Sequence, residues 1–214
     1  MGKKTFLQGA VILGAAGLVI KALGAVFRIP LANIIGGIGM GYYQTAYPVY
    51  VLLLTLSTAG VPVAISRMVA ERNAIKEPYE AYRVFKISFL LLLIIGACSS
   101  AVLFFGADAI VGYLNPDDPE RLAKYALMAI APALLVVPIM AAFRGFFQGM
   151  QNMKPTAFSQ VVEQLFRVGV GLTLAVILVD KGLEYAAAGA SFGATAGGIA
   201  GLLTVALIYL LARK

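Results

Sequence analysis

The sequence of 214 residues is too apolar for an ordinary water-soluble domain. Hydrophobic residues make up 61% of it and charged residues only 13%, against roughly 25% charged in a typical soluble domain. The 17 Lys and Arg and 10 Asp and Glu give a net charge of +7, which in a polar chain would favour nucleic-acid binding. Because these charges stand between long apolar runs, we interpret them by position and expect no nucleic-acid partner.

The residue types that carry much enzyme chemistry are scarce. The sequence has no His, the commonest general base and metal ligand, and its one Cys, Cys98, cannot form an internal disulfide. It also lacks the G-x-x-x-x-G-K phosphate-binding loop. We therefore expect no enzyme activity, no metal site and no cofactor.

Six apolar segments are long enough to cross a bilayer, which needs about 20 such residues per helix. Their approximate bounds are 6–27, 42–65, 87–107, 125–143, 157–179 and 185–212. Prolines in the second and fourth segments predict kinked helices; these are Pro48, Pro62, Pro132 and Pro138. The predicted fold is an all-α, polytopic membrane protein with six transmembrane helices.

The cations outside these spans are unevenly distributed. Eleven lie before span one, after an even-numbered span, or at the C-terminus: Lys3, Lys4, Arg67, Arg72, Lys76, Arg83, Lys86, Arg144, Lys154, Arg213 and Lys214. Only Arg121, Lys124 and Lys181 lie on the opposite side. Because Lys and Arg accumulate in cytoplasmic loops, we predict cytoplasmic termini in a bacterial plasma membrane. The segment 67–86 is either an interfacial amphipathic stretch or a solvated connector.

Span five carries a polar stripe. Glu163 and Arg167 stand four residues apart with the acid first, the favourable order for a helical ion pair. Gln160 and Gln164 lie on much the same face. A charge at a helix centre costs about 2.5 to 3.5 kcal/mol on insertion scales, so the stripe should face the bundle. It is either a self-neutralised pair that serves packing, or part of a hydrated cavity wall or gate.

Span one carries two cations and no acid. Lys21 and Arg28 share one helical face with three glycines; these are Gly14, Gly17 and Gly24. One interpretation makes Arg28 an anchor at the outer interface and pairs Lys21 with Glu163 or with an acid outside this chain. The other makes both cations the wall of a positive cavity suited to a phosphate or pyrophosphate.

Tyrosines cluster at the start of span two. Tyr43, Tyr47 and Tyr50 share a face with Ser57. Such clusters are typical of the aromatic belt at a membrane interface. Alternatively, the hydroxyls of Tyr43 and Tyr47 line the outer end of the same cavity.

Span six repeats glycine at every fourth position. The four residues are Gly189, Gly193, Gly197 and Gly201. A G-x-x-x-G face lets another helix approach closely. We predict that this face serves helix packing, against a partner inside or outside the chain.

Two blocks of sequence resemble a known transporter group. The first comprises FRIPLAN at 27–33, GYYQ at 41–44, AYPVY at 46–50 and STAGVPVAIS at 57–66. The second is FRGFFQGMQNMKPTA at 143–157, followed by the polar stripe of span five. Together they resemble the stage V sporulation protein B group of polysaccharide and lipid-linked-oligosaccharide flippases, which includes MurJ-like lipid II flippases. That group belongs to the multidrug, oligosaccharidyl-lipid and polysaccharide exporter superfamily.

The resemblance implies the N-terminal six-helix lobe of a two-lobe transporter. Such a protein would move a lipid-linked sugar diphosphate, lipid II or a related cell-wall precursor, from the inner to the outer leaflet by alternating access. Arg28 matches a cavity-facing arginine of MurJ-like proteins. The implied partners are the bilayer, the anionic lipid-linked oligosaccharide, and a second six-helix lobe from a longer protein or another copy.

Two other functions stay open at this point. A cation-coupled multidrug exporter of the same superfamily would use an intramembrane acid, and Glu163 is the one acid within the predicted spans. A non-transporting membrane scaffold would instead use the glycine face of span six for assembly.

Overall fold

The computed structural model describes residues 2–114, 118 and 120–212, with side chains described from residue 11 onward. The predicted all-α class is confirmed, because these residues contain helices and no β-strand. In chain order the helices are α1 (Gly2–Thr58), α2 (Val61–Ala74), α3 (Pro78–Leu114), α4 (Lys124–Ile130), α5 (Ala133–Gly149), α6 (Lys154–Leu178) and α7 (Leu183–Ala212). A short 3-10 turn, Val179–Lys181, joins α6 to α7.

Five helical stretches in the described part of the chain are long and apolar enough to cross a membrane. They are Val11–Ala74, Pro78–Leu114, Lys124–Gly149, Lys154–Lys181 and Leu183–Ala212. The first has 64 residues, or about 96 Å at 1.5 Å per residue, roughly three times the thickness of a bilayer core. It is therefore too long to be a single crossing.

Helix α1 folds back on itself at Gly36. This residue alone within α1 has a non-helical backbone, with φ of 63°, a value that glycine adopts without steric cost. In a straight helix Phe27 and Tyr43 would lie about 24 Å apart, yet their ring centroids are separated by 6.2 Å. The first arm (residues 2–35) and the second arm (residues 37–58) thus lie side by side, which brings the number of crossings close to the predicted six.

The predicted second span, 42–65, is too long at its C-terminal end. Helix α1 ends at Thr58, and Gly60 takes a left-handed conformation with φ of 70° before α2 begins. Pro62 lies in the first turn of α2, where a missing N–H costs no helical hydrogen bond. The predicted kink at Pro62 is therefore a break between two helices.

The segment 67–86 is almost wholly helical, which favours its interpretation as an amphipathic stretch over that of a solvated connector. Helix α2 buries Ile65 and Val69 and leaves Arg67 and Arg72 exposed. Helix α3 already begins at Pro78, nine residues before the predicted start of span three. Only three residues connect the two helices.

The predicted fourth span, 125–143, is interrupted. A turn at Ala131 and Pro132 separates α4 from α5, and α5 continues to Gly149. Proline has no backbone N–H to donate in a helix interior, so Pro132 is compatible with a break in the helix at this position. The Thr195 hydroxyl of α7 donates a hydrogen bond of 2.9 Å to the Ala129 carbonyl oxygen beside the turn.

Helices α6 and α7 share the most extensive helix interface of the described residues. The four glycines of α7 lie along it. A methyl group at Gly197 would lie 2.5 Å from the Glu163 carbonyl oxygen, and one at Gly189 would lie 2.8 Å from the Leu174 Cβ atom. The partner of this glycine face is therefore α6 of the same chain, and the close approach fixes the polar stripe of α6 against the bundle.

Candidate functional site

A cleft of about 390 Å³ opens between the two arms of α1 and helix α6. Its lining residues are Gly24, Phe27 and Arg28 of the first arm, Tyr43, Gln44, Tyr47 and Pro48 of the second arm, and Gln164 and Arg167 of α6. The reversal at Gly36 creates this arrangement, because it places residues 27 and 43 next to each other. The cleft is bounded on three sides by helices that are apolar enough to cross a membrane.

The cleft lies well inside the helices that form it. Along the first arm, Arg28 is about 12 Å from Gly36, and along α6, Arg167 is about 16 Å from Leu178, at 1.5 Å per residue. A bilayer core is about 30 Å thick. The two cations therefore lie several helical turns from these helix ends, within apolar stretches comparable in length to a bilayer core.

Five of the predicted site residues come together in this cleft. They are Arg28, Tyr43, Tyr47, Gln164 and Arg167. The other three predicted polar residues do not line it. Gln160 and Glu163 are half-buried elsewhere on α6, and Lys21 is exposed on the first arm, about two helical turns from Arg28. Phe27 and Gln44 line the cleft although neither had been singled out as a site residue.

The cleft is cationic. Arg28 and Arg167 both line it, and within the described residues neither Arg28 nor Lys21 has an acid within 4.0 Å. The alternative pairing of Lys21 with Glu163 is not what the structure contains, because Glu163 bonds to two arginines instead. One wall of the cleft thus presents an arginine that forms no ion pair with the acids the structure describes.

Arg167 lies among tyrosine hydroxyls. It lines the cleft together with Tyr43 and Tyr47, whose rings stack with centroids 5.7 Å apart. The buried Nε atom of Arg167 has no hydrogen-bond partner among the described atoms. Unpaired buried polar atoms are uncommon in proteins, so this end of Arg167 has unused capacity to donate to a ligand.

Glu163 bridges two arginines. It accepts a hydrogen bond of 3.2 Å from Arg167, as the four-residue spacing predicts, and another of 2.9 Å from Arg144 of α5. The Glu163 and Arg144 side chains are each 14% exposed. Three residues that carry two positive charges and one negative charge therefore meet at the α5–α6 interface.

The prediction that Arg144 lies in a loop between spans four and five is wrong. Arg144 lies within α5, because the helix continues to Gly149 beyond the predicted end of the span. The aromatic pair Phe146 and Phe147, which begins two residues after Arg144, is a signal in the sequence that the apolar helix continues. Arg144 is therefore a helix residue that packs between α5 and α6, and not a loop cation.

A serine-hydrolase-like string occurs in α7 but does not form a nucleophile site. Residues 189–193 read G-A-S-F-G and so fit G-x-S-x-G. That motif acts at a sharp strand-to-helix turn that exposes the serine. Here the string lies inside a continuous helix, and Ser191 is 1% exposed.

Comparison with known proteins assigns the chain to a family. Residues 6–214 match the family described as "Polysaccharide biosynthesis protein". The chain is 38% identical over 203 residues to stage V sporulation protein B of Bacillus subtilis (strain 168), covering 95% of this chain and 39% of that protein. It is 36% identical over 218 residues to the lipid II flippase MurJ of the same organism, covering 97% and 40%. The chain thus spans about two fifths of the length of these relatives.

Solved structures of transporters share the fold. A MOP superfamily transporter from Pyrococcus furiosus superposes with a TM-score of 0.75 at 16% identity, covering 96% of this chain and 45% of that one. A multidrug resistance MATE family transporter of the same superfamily, in an outward-facing conformation, gives a TM-score of 0.72 at 16% identity. At this level of identity the likeness concerns the fold alone. The fold, the apolar helices and the family match together identify the chain as a multi-pass membrane protein of the polysaccharide biosynthesis protein family, related to flippases.

Proposed function

We propose that this chain forms one lobe of a flippase for a lipid-linked sugar diphosphate, such as lipid II or a related cell-wall precursor. The substrate would pass from the inner to the outer leaflet by alternating access. The observation that carries this proposal is the juxtaposition of Arg28 and Arg167 in one cleft between helices that are long and apolar enough to cross a membrane. The relation to the lipid II flippase MurJ supports the same substrate class.

The chemistry of the cleft suits a diphosphate headgroup. Guanidinium groups bind phosphate through paired, charge-assisted hydrogen bonds. The hydroxyls of Tyr43 and Tyr47 add neutral donors and acceptors beside the arginines, which suits the hydroxyl groups of a sugar. A volume of about 390 Å³ is within the usual range for small-molecule sites. The polyprenyl chain would stay in the surrounding lipid.

Alternating access requires a second wall opposite the cleft. We propose that a second six-helix lobe supplies it, either as the C-terminal half of a longer protein or as another copy. Lys21 is exposed on the same arm as Arg28. In this arrangement it would face the second lobe and extend the positive surface towards the cytoplasmic side.

We propose a bacterial plasma-membrane location with both termini in the cytoplasm. Eleven cations outside the predicted spans lie on the side of the termini and three on the opposite side. The asymmetry of Lys and Arg therefore still satisfies the positive-inside rule.

The multidrug-exporter alternative has less support. It needs an acid that can bind and release a proton or a metal cation in the membrane. Glu163 is instead held by Arg144 and Arg167 at hydrogen-bond distance, so a proton or metal cation would have to displace these two arginines.

The proposal is tested by transport in vesicles. The intact protein that contains this lobe is reconstituted, and the movement of a fluorescent lipid II analogue between leaflets is measured. Arg28→Gln should lower the rate about tenfold or more, since a hydrogen bond to a charged group is worth about 1.5 to 3 kcal/mol. Arg83→Gln, at an exposed position of α3, is the matched control and should transport normally. Full activity of Arg28→Gln would refute the cationic cleft, and an inactive wild type would refute the flippase.

A further inference from the structure

The two arginines that bind Glu163 are held differently. Arg144 is fixed at two points: its Nε donates to the Ser159 hydroxyl over 3.0 Å, and its Nη2 donates to Glu163 Oε2 over 2.9 Å. The Ser159 hydroxyl in turn donates to the Thr156 carbonyl oxygen over 2.9 Å. Arg144 is therefore anchored in a complete chain of hydrogen bonds.

Arg167 has one charged partner and no second anchor like the Ser159 bond of Arg144. Its Nη2 donates to Glu163 Oε1 over 3.2 Å, while its Nε has no partner among the described atoms. Arg167 also lines the cleft, whereas Arg144 and Glu163 do not. Of the two arginines, Arg167 is the one that can turn towards a ligand with the smaller loss of existing bonds.

Glu163 would not lose all its partners if Arg167 turned away. Breaking a buried ion pair is costly because it leaves an uncompensated charge. Here Arg144 would remain bound to the opposite oxygen of the same carboxylate. The arrangement therefore allows Arg167 to exchange one anion for another.

We infer that Glu163 competes with the anionic substrate for Arg167, and that Arg144 permits this exchange by retaining Glu163. This inference rests on the proposed function, because it assigns two positioning residues to the same cleft. Glu163 limits the affinity of the cleft for an anion, and Arg144 raises that affinity although it does not line the cleft. Glu163 and Arg144 thus have opposite effects on anion binding, although they bond to each other.

Binding of farnesyl pyrophosphate to the full chain in lipid nanodiscs tests the inference. This probe carries a diphosphate and a short apolar chain, and farnesol, which has no charge, is the control ligand. Glu163→Gln should bind the probe about tenfold more tightly than wild type, because the competing carboxylate is gone. Arg144→Gln should bind about tenfold more weakly, because Glu163 then has Arg167 as its one partner.

The double variant Arg144→Gln/Glu163→Gln separates competition from damage to the fold. In the inference, Arg144 affects binding only through its bond to Glu163. Once Glu163 is replaced, removing Arg144 should change little, and the double variant should bind nearly as tightly as Glu163→Gln. General damage would instead weaken all three variants, and that result would overturn the inference. Equal affinities of wild type, Glu163→Gln and Arg144→Gln would overturn it as well.

A measurement on wild type keeps the test valid if a variant fails to fold. In a sample with 15N-labelled arginine, the Nε–H signal of Arg167 should shift when farnesyl pyrophosphate is added, while that of Arg144 should not. A shift of Arg144 without one of Arg167 would contradict the exchange.

A different set of results would refute the proposed function. It fails if wild type binds farnesyl pyrophosphate no better than farnesol, or if Arg28→Gln binds the probe as well as wild type. If Arg28→Gln weakens binding while the Glu163 and Arg144 variants have no effect, the cleft is retained and the exchange is rejected.

Discussion

A methyl group at Gly193 of α7 would lie 2.5 Å from the carbonyl oxygen of Arg167 on α6. That distance is well below van der Waals contact. The carbonyl oxygen belongs to the backbone, so it cannot move aside as the end of a flexible side chain could. Gly193→Val should therefore push α7 away from α6 and destabilise the protein by about 1 to 3 kcal/mol or more. Thermal unfolding in detergent would measure the loss of stability. Because Arg167 lies at the contact, binding of farnesyl pyrophosphate should also weaken in the same variant.

Gly169 provides the control for this substitution. It lies on α6 two residues from Arg167, but is exposed and has open space where a side chain would begin. Gly169→Ala should be neutral or stabilising by up to about 1 kcal/mol, since alanine favours the helix. Equal destabilisation by both substitutions would contradict the account of the α6–α7 contact.

A hydroxyl pair joins the second arm of α1 to α3. Ser57 and Ser99 are 2.8 Å apart, and Ser57 also bonds to the Leu53 carbonyl oxygen over 2.7 Å. Hydrogen bonds between membrane helices contribute about 0.6 kcal/mol on average and about 1.7 kcal/mol at most. A double-mutant cycle of Ser57→Ala and Ser99→Ala should return a coupling energy in that range, measured by unfolding in mixed micelles. A coupling energy of zero would show that the pair does not stabilise the interface.

Helix α2 is anchored by its apolar face. Val69 is fully buried, and a methyl group at Gly149 of α5 would lie 2.7 Å from its Cβ atom. Val69→Asp should detach α2 from α5, because a buried carboxylate without a partner is strongly unfavourable. Hydrogen exchange should then increase across α2 and much less in α6. Arg67→Gln, on the exposed face of α2, is the control and should leave the exchange rates unchanged.

The predicted orientation can be measured by thiol labelling. In a Cys98→Ala background, single cysteines are introduced as Asn73→Cys at the end of α2 and as Glu120→Cys before α4. A membrane-impermeant reagent applied to intact cells should label the cysteine at position 120 and not the one at position 73. Labelling of position 73 alone would reverse the orientation, and labelling of both would contradict the number of crossings between them.

Hydropathy located the spans but not the ends of every helix. The prediction for span five, 157–179, is close to α6 at Lys154–Leu178, and that for span six is close to α7, because turn residues flank both apolar runs. Helix α3 extends far beyond 87–107, since a helix can continue into the polar stretch that contains Arg83 and Lys86. Hydropathy reports the medium around a residue and says little about the backbone of flanking polar residues.

The candidate site was predictable where it depends on spacing along one helix. The positions of Arg28, Tyr43 and Arg167 on their helical faces indicated side chains that point into a shared cavity. The bond between Arg144 and Glu163 was not predictable, because 19 residues separate them and the contact depends on how α5 packs against α6. Because Arg144 is a charge next to an apolar run, the sequence pattern predicts that it marks the end of a span. In the structure Glu163, which is distant in sequence, stabilises this charge inside the bundle.

The reversal at Gly36 makes the width of the cleft depend on very few torsion angles. Arg28 and Tyr43 stand on opposite arms, each about 10 to 12 Å from this one residue along its helix. A rotation of roughly 10° about a Gly36 torsion would displace either side chain by about 2 Å relative to the other, with both helices intact. Glycine tolerates such rotations because it has no Cβ atom. The spacing between an arginine and a tyrosine in the cleft thus depends on the backbone torsions of a single glycine.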